Sequence, residues 1–205
     1  MRIFLTVLIF IFSFQSLTKS DDIRELEIEG MSLGDSALNY FNQKELTNKD
    51  DVYYYTSKTN KLIKFQTKSY RVYEKPKKFS IYENVELHFK KNDPQYIIKS
   101  ISGVLYFRND LDGCLKKKDE IVSDISNSFQ SVVKSEIDLE PWLDYDPSGN
   151  TKTAHTYFDF KSGSYIEISC YDWSDKITKE KKWQDHLKVI LKNRDFDSLF
   201  GDGSG

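Results

Sequence analysis

Runs in which apolar and polar residues alternate dominate the sequence, and this period of two is typical of β-strands that bury one face. The segment 96–107 is rich in β-branched and aromatic residues, so it is predicted to form the central strand. Gly103 interrupts this segment and indicates a bulge. In 186–192 the alternation favours a strand over a helix. Further strands are predicted at 23–29, 52–55, 61–66, 153–160 and 165–171, and the segments 79–82 and 85–89 form either another strand pair or one long bent strand.

One segment instead repeats its apolar residues at the helical period. The stripe consists of Ile121, Ile125, Phe129 and Val132. It predicts one long amphipathic helix over about 117–134, packed on a face of the sheet and followed by a loop at 138–150. Asp35 or Ser36 can cap a short N-terminal helix. Because strands outnumber helices and follow one another in hairpin-like series, the expected fold class is α+β with a mainly antiparallel sheet.

The first 20 residues are typical of a secretory signal peptide. Arg2 precedes an apolar run at 3–14 that is too short to span a bilayer, and Thr18 and Ser20 occupy the −3 and −1 positions of a signal peptidase site. We therefore expect cleavage after Ser20 and a periplasmic or secreted location. The predicted organisation is a signal peptide at 1–20, a single α+β domain at 21–200 and a disordered tail at 201–205.

Charge and composition exclude several classes of protein. The chain has a net charge of −2, or −4 without the two basic residues of the leader, which excludes a basic nucleic-acid binder. Its aromatic content of 15% excludes an acidic low-complexity chain. Since no apolar run after the leader is long enough to cross a bilayer, no transmembrane segment is expected once the leader is cleaved.

Cys114 and Cys170 are the only two cysteines of the chain. In an oxidising compartment such a pair indicates a disulfide, which over 56 positions would stabilise the fold by about 4 kcal/mol. The alternatives are two buried thiols or a metal pair, although a C-x-x-C motif of the kind found in zinc sites is missing.

Two short motifs suggest chemistry, and each also has a purely structural interpretation. The sequence from Gly30 to Gly34 fits G-x-S-x-G, in which Ser32 would be the nucleophile of a hydrolase, or it forms a turn that leads into a helix cap. A second motif begins like a calcium loop, or forms an Asx-Pro turn that leads into a strand. Its candidate ligands are Asp144, Asp146 and Ser148.

Aromatic residues suggest a binding face, because tyrosine and tryptophan combine a flat apolar surface with a polar tip. The candidate ligand-binding residues are Tyr54, Tyr73, Trp142 and Trp173. The tyrosines also suit an ordinary sheet, since tyrosine is a good strand former. The three histidines have no spacing that pairs them and are expected to be half-buried strand residues. They are His88, His155 and His186.

Several blocks of the chain, taken together, carry a resemblance to a known group of proteins. They are 28–36 with 38–41, 96–107 leading to Cys114, 146–149, 158–160, 168–174 and 183–189. In these blocks the chain resembles a group of small, uncharacterised exported proteins from AT-rich marine bacteria. The resemblance implies export, pairing of Cys114 with Cys170 and the start of a strand within 183–189. It implies no activity.

These observations predict a non-catalytic periplasmic protein without a cofactor, a binding or interaction module of the cell envelope. Its partner would be an envelope component or a small ligand. The first alternative is a small secreted serine hydrolase that uses Ser32 with one of the histidines. The second is an envelope protein stabilised by calcium at Asp144 and Asp146.

Overall fold

Antiparallel strands make up most of the computed structural model, which describes residues 22–48, 52–54, 62–66 and 79–200. The strands are β1 Val52–Tyr54, β2 Leu62–Gln66, β3 Asn84–Lys90, β4 Ser100–Tyr106, β5 Val133–Pro141, β6 Lys152–Asp159, β7 Tyr165–Asp172 and β8 His186–Lys192. The helices are α1 Gln43–Leu46, α2 Leu111–Ser128, α3 Asp175–Lys181 and α4 Phe196–Phe200. The predicted signal peptide at 1–20 and the tail at 201–205 lie outside the described residues.

All of the described strands join one sheet in the order β1-β2-β3-β4-β8-β7-β6-β5, and every neighbouring pair is antiparallel. The α+β class with a mainly antiparallel sheet is therefore confirmed. The predicted central strand is also confirmed over residues 100–106, since β4 lies between β3 and β8. The β3–β4 register is continuous across Gly103, so the predicted bulge is wrong.

The two faces of the sheet differ in chemistry, because successive side chains of a strand point to opposite sides. On β8, Leu187, Val189 and Leu191 are buried in the main apolar cluster, which also contains residues of α2. We call this side the core face, and α2 contacts it along β7 and β8. The opposite side, here the polar face, carries His186 and Lys188.

The long helix begins and ends about six residues before its predicted bounds of 117–134. Its cap is Asp110, whose side chain accepts a hydrogen bond from the backbone N–H of Gly113 at 2.9 Å. The helix ends at Ser128, and Phe129 is its C-cap. Where the helix was predicted to continue, β5 begins at Val133, so the predicted loop at 138–150 is wrong over its first four residues.

The buried stripe of α2 is also different from the predicted one. It consists of Cys114, Lys118, Val122 and Ile125. The ammonium group of Lys118 donates to the hydroxyl of Thr156 on β6 at 3.1 Å. This hydrogen bond compensates for the burial of the charged group between α2 and the sheet. The sulfur atoms of Cys114 and Cys170 are 2.02 Å apart, which confirms the predicted disulfide and links α2 to β7. Among the described residues, none of the helices is long and apolar enough to cross a membrane.

Residues 23–29 do not form the predicted strand. Ile23–Glu25 is a 3-10 turn, and Ile28 makes an isolated bridge to Met31. Ile23 and Ile28 are both buried in the cluster of the core face. They anchor a loop there, and their apolar pattern therefore does not indicate a strand.

The short N-terminal helix is present only as a 3-10 turn followed by one turn of α-helix. Ser36 caps the turn Ala37–Asn39, as predicted, through a hydrogen bond from the backbone N–H of Leu38. Asn42 then caps α1, and Glu45 completes a capping box.

The predicted strand at 79–82 is a loop that is held by one carboxylate. Glu29 accepts hydrogen bonds from the backbone N–H groups of Ser80, Ile81 and Tyr82. This arrangement fixes the ring of Tyr82 over Gly103, where a methyl group would lie 2.5 Å from the ring. Gly103 therefore provides room for a close approach.

Candidate functional site

A cleft of about 980 Å³ lies over the polar face of the sheet. Its floor is formed by β2, β3, β4 and β8, and its wall by the end of β7, the loop after β5, and α3 with the residues that follow it. This volume is within the range of small-molecule sites, about 300–1,000 Å³.

One side of the cleft is built from aromatic side chains that touch one another. We call this set the aromatic wall, and it consists of Trp142, Tyr145, Tyr171, Trp173 and Trp183. The ring centroids of Trp173 and Trp183 are 4.8 Å apart, and Tyr145 stacks on Trp183 at 5.5 Å. The chain has three tryptophans, and all of them line this cleft.

Strand alternation explains two members of the wall. Tyr171 and Trp173 are two residues apart at the end of β7, so both project from the polar face, and their rings stack at 5.5 Å with an angle of 10° between the planes. Asp185 holds this end of β7 in place, because its carboxylate accepts the backbone N–H of Trp173 at 2.8 Å.

A turn after β5 positions Trp142 and Tyr145. The backbone N–H of Trp142 donates to the carbonyl of Thr151 at 2.9 Å, and the N–H of Tyr145 returns to the carbonyl of Trp142 at 3.2 Å. Asp146 fastens the turn, since its carboxylate accepts from the backbone N–H and hydroxyl groups of both Ser148 and Thr151. These hydrogen bonds, first among them that of the Ser148 hydroxyl, hold the pKa of Asp146 well below its ordinary value.

The calcium candidates therefore have another role in this structure. Both oxygens of Asp146 face hydrogen-bond donors, Ser148 is one of those donors, and Asp144 is exposed. Within the described ranges no group of three or more His, Cys, Asp or Glu side chains is placed to hold a metal ion. The geometry favours the Asx-Pro turn.

The floor of the cleft contains a buried carboxylate between two ammonium groups. The Glu86 side chain is 8% exposed and lies 2.5 Å from Nζ of Lys188 and 3.2 Å from Nζ of Lys64. We call these three residues the charged floor. Burial raises the pKa of Glu86, but the charges of Lys188 and Lys64 outweigh it and hold the pKa well below its ordinary value. Glu86 is therefore ionised at neutral pH.

His186 connects the charged floor with the aromatic wall. Its ring stacks on Tyr171 with the centroids 4.7 Å apart, and its Nδ1 lies 2.8 Å from the carbonyl oxygen of Gln184. Because a carbonyl only accepts, Nδ1 carries the proton and donates it. Burial lowers the pKa of His186 to about 4, so at neutral pH the ring is uncharged and Nε2 is a hydrogen-bond acceptor.

A second polar cluster lies on the same face, outside the lining of the cleft. Nδ1 of His155 is 2.8 Å from Oγ of Ser169, which also lies 3.0 Å from the carboxylate of Glu167, and Lys192 is 3.2 Å from the other oxygen of that carboxylate. Burial raises the pKa of Glu167, but the hydrogen bond with His155 and the charge of Lys192 lower it to about 2. Because Ser169 is fully buried, this cluster stabilises the sheet rather than presenting a nucleophile.

Two of the four predicted ligand-binding residues come together. The rings of Trp142 and Trp173 are 5.9 Å apart and belong to one wall. The side chain of Tyr54 and the whole of Tyr73 lie outside the described residues. The other wall residues and the charged floor were not predicted from the sequence. Only the Tyr171–Trp173 spacing at a strand end could have revealed a further wall residue.

Ser32 does not meet a histidine in the described structure. Its hydroxyl donates to the carbonyl of Leu26 at 3.1 Å, and its backbone N–H donates to Asp35 at 3.0 Å. The neighbours of Ser32 on both sides, Met31 and Leu33, are buried in the cluster of the core face, whereas the side chains of the histidines project from the polar face. The hydrolase hypothesis gains no support from this geometry.

Comparisons of this chain with protein-family models, with curated proteins and with solved structures found no match.

Proposed function

We propose that this chain is an exported, non-catalytic binding protein that holds a small ligand in the cleft. The observation that carries the proposal is the meeting of all three tryptophans with a buried ion cluster around one cavity of about 980 Å³. Ligand sites combine apolar and aromatic walls with a few fixed polar groups in this way.

The polar groups are fixed by the fold. Each member of the charged floor belongs to a different strand, β2, β3 or β8, and the ion pairs hold the ends of the long lysine side chains. Groups that are already ordered lose little entropy when a ligand binds, so such a floor suits recognition of polar substituents.

Trp173 adds a second indication. The residue is 9% exposed, and its indole N–H has no acceptor among the described residues. A buried donor without an acceptor costs about 1–3 kcal/mol. Since the N–H itself is inaccessible in this structure, a ligand oxygen would relieve that cost only if the wall opens around it.

Export rests on the predicted leader and on the disulfide. Stable disulfides form in oxidising compartments and are rare in the cytosol, so the Cys114–Cys170 bond supports a periplasmic or secreted location.

A thermal-shift screen tests the binding function. The library contains neutral sugars, sugar acids, amino acids, nucleotides and aromatic acids. A ligand at 100 times its Kd stabilises the folded state by about 2.7 kcal/mol, which for a chain of this size raises Tm by about 5–10 °C. At least one class of compound should produce such a shift.

Two variants locate the effect in the cleft. Trp183→Ala removes a wall residue that is 40% exposed and should abolish most of the shift. Ile81→Ala removes an apolar side chain that is 56% exposed outside the cleft lining and should retain it. A library without any effect, or a shift that is equal in both variants, would overturn the proposal.

A further inference from the structure

The cleft has the opposite charge to the rest of the chain. Its described lining contains four lysines and one glutamate, a formal charge of +3, whereas the whole chain carries −2. His186 adds nothing at neutral pH because its ring is uncharged. A low-dielectric cavity focuses such a field, so the cleft attracts anions.

Two of these lysines are available to a ligand. Lys64 and Lys188 are paired with Glu86, but Lys179 and Lys182 lie at the rim and form no salt bridge with a described residue. Both are exposed. Lys179 lies in the last turn of α3, and Lys182 is the C-cap of that helix, directly before Trp183 of the aromatic wall. An anionic group at the rim would therefore lie beside an aromatic ring.

The wall favours a ring with an apolar face. The faces of aromatic rings are electronegative, and the C–H groups on the flat side of a sugar ring carry small positive charges, so the two surfaces attract each other. The floor favours hydroxyl groups. Gln66 lines it and is half-buried, and its amide supplies both donors and acceptors, as hydroxyl groups require.

From these three features we infer that the cleft takes an acidic sugar, an oligosaccharide whose rings carry carboxylates. The inference rests on the proposed binding function and adds the class of ligand. The sugar rings stack on Trp183 and its neighbours, the hydroxyl groups pair with the floor, and a carboxylate lies between Lys179 and Lys182.

Calorimetric titration with matched sugars tests the ligand class. The probes are trimers of galacturonic, glucuronic and mannuronic acid, each compared with the neutral trimer of the corresponding hexose. At low salt at least one acid trimer should bind at least about tenfold more tightly than its neutral counterpart. The advantage should shrink in about 0.5 M NaCl, because salt screens exposed charges.

One helix offers a matched pair of variants. Lys179→Gln with Lys182→Gln removes both rim charges and should weaken the acid trimer about five- to tenfold, with the neutral trimer unchanged. Lys176→Gln with Lys181→Gln removes the same charge from exposed positions outside the cleft lining. The second variant should keep its affinity for the acid trimer within about twofold.

Three results would overturn the inference. The first is equal affinity for acid and neutral trimers, and the second is the same loss in both double-lysine variants. The third is that only a neutral sugar, a nucleotide or an aromatic acid binds, and that its binding depends on Trp183. This third result would exclude the acidic sugar but would still support the proposed binding function. If no compound of the wider library binds, the binding function itself fails.

Discussion

Replacing Glu86 with glutamine removes the carboxylate of the charged floor and should destabilise the protein strongly. In the native structure the carboxylate lies 2.5 Å from the Lys188 ammonium group and 3.2 Å from that of Lys64. Glutamine keeps the size of the side chain but leaves two cations close together without a counter-charge. The expected effect is therefore electrostatic rather than a packing defect.

The size of the effect follows from burial. Removing one partner of a buried ion pair costs about 3–5 kcal/mol. The side chains of Lys64 and Lys188 are 23% and 21% exposed, so water screens part of the loss. We expect the free energy of unfolding to fall by about 2–3 kcal/mol and Tm to fall by about 4–12 °C.

A double-mutant cycle in urea isolates the interaction. The cycle combines Glu86→Gln with Lys188→Met, and its coupling energy should exceed about 1 kcal/mol. The control is the Lys134–Glu136 pair on β5, which has a similar distance of 2.6 Å but side chains that are 40% and 49% exposed. Its coupling should stay below about 1 kcal/mol. Equal coupling of the two pairs, or a Glu86→Gln variant as stable as the wild type, would show that burial does not strengthen the Glu86 ion pairs.

Three further predictions concern stability. The folded pKa of Glu167, about 2, lies below the ordinary 4.5, so its stabilisation of about 3 kcal/mol is complete above pH 4.5 and is lost as the pH falls towards 2. In the Glu167→Gln variant, Tm should therefore fall less between pH 4.5 and pH 2 than in the wild type. An equal fall in both proteins would contradict this role of Glu167. Gly103→Ala should cost about 1–3 kcal/mol in urea unfolding, because its Cβ would lie 2.5 Å from the Tyr82 ring. The same change in a Tyr82→Ala background should cost less, and an equal cost would exclude the clash. Replacing Cys114 and Cys170 with alanine should lower the free energy of unfolding by about 4 kcal/mol and leave tryptophan emission of the folded state unchanged. A reductant that leaves Tm unaltered would argue against a stabilising disulfide.

Strands with clean alternation could be predicted from the sequence, because alternation states directly which side chains face the core. The predicted strand at 186–192 has the bounds of β8, and the predictions at 153–160 and 165–171 differ from β6 and β7 by one residue at one or both ends. In each of these strands the core-facing residues are buried, so the pattern and the burial agree.

The helix bounds could not be predicted in the same way. The helix begins six residues before its predicted start at 117, because the side chain of Asp110 accepts the backbone N–H of Gly113 and caps the first turn there. At the other end Val132 continued the helical spacing by coincidence. All nine residues of β5 are exposed, and its apolar residues Val133, Ile137 and Leu139 alternate with polar residues although that face is not buried.

The site was predictable only where neighbours in sequence are also neighbours in space. Tyr171 and Trp173 share a face through strand alternation, whereas Trp142 joins them through a turn whose geometry depends on Asp146. Glu86 and Lys188 are 102 positions apart in the sequence. They meet only because the sheet places their strands, β3 and β8, on either side of the single strand β4. Contacts of this kind leave no local signal in a single sequence.

The most direct test of the account is a titration of tryptophan emission with any ligand that raises Tm. Because all three tryptophans line the cleft, emission reports on that cavity and on no other part of the molecule. If the ligand binds in the cleft, emission should change saturably with a Kd equal to the calorimetric Kd. A ligand that stabilises the protein and binds in the calorimeter without altering tryptophan emission would place the binding site outside the cleft.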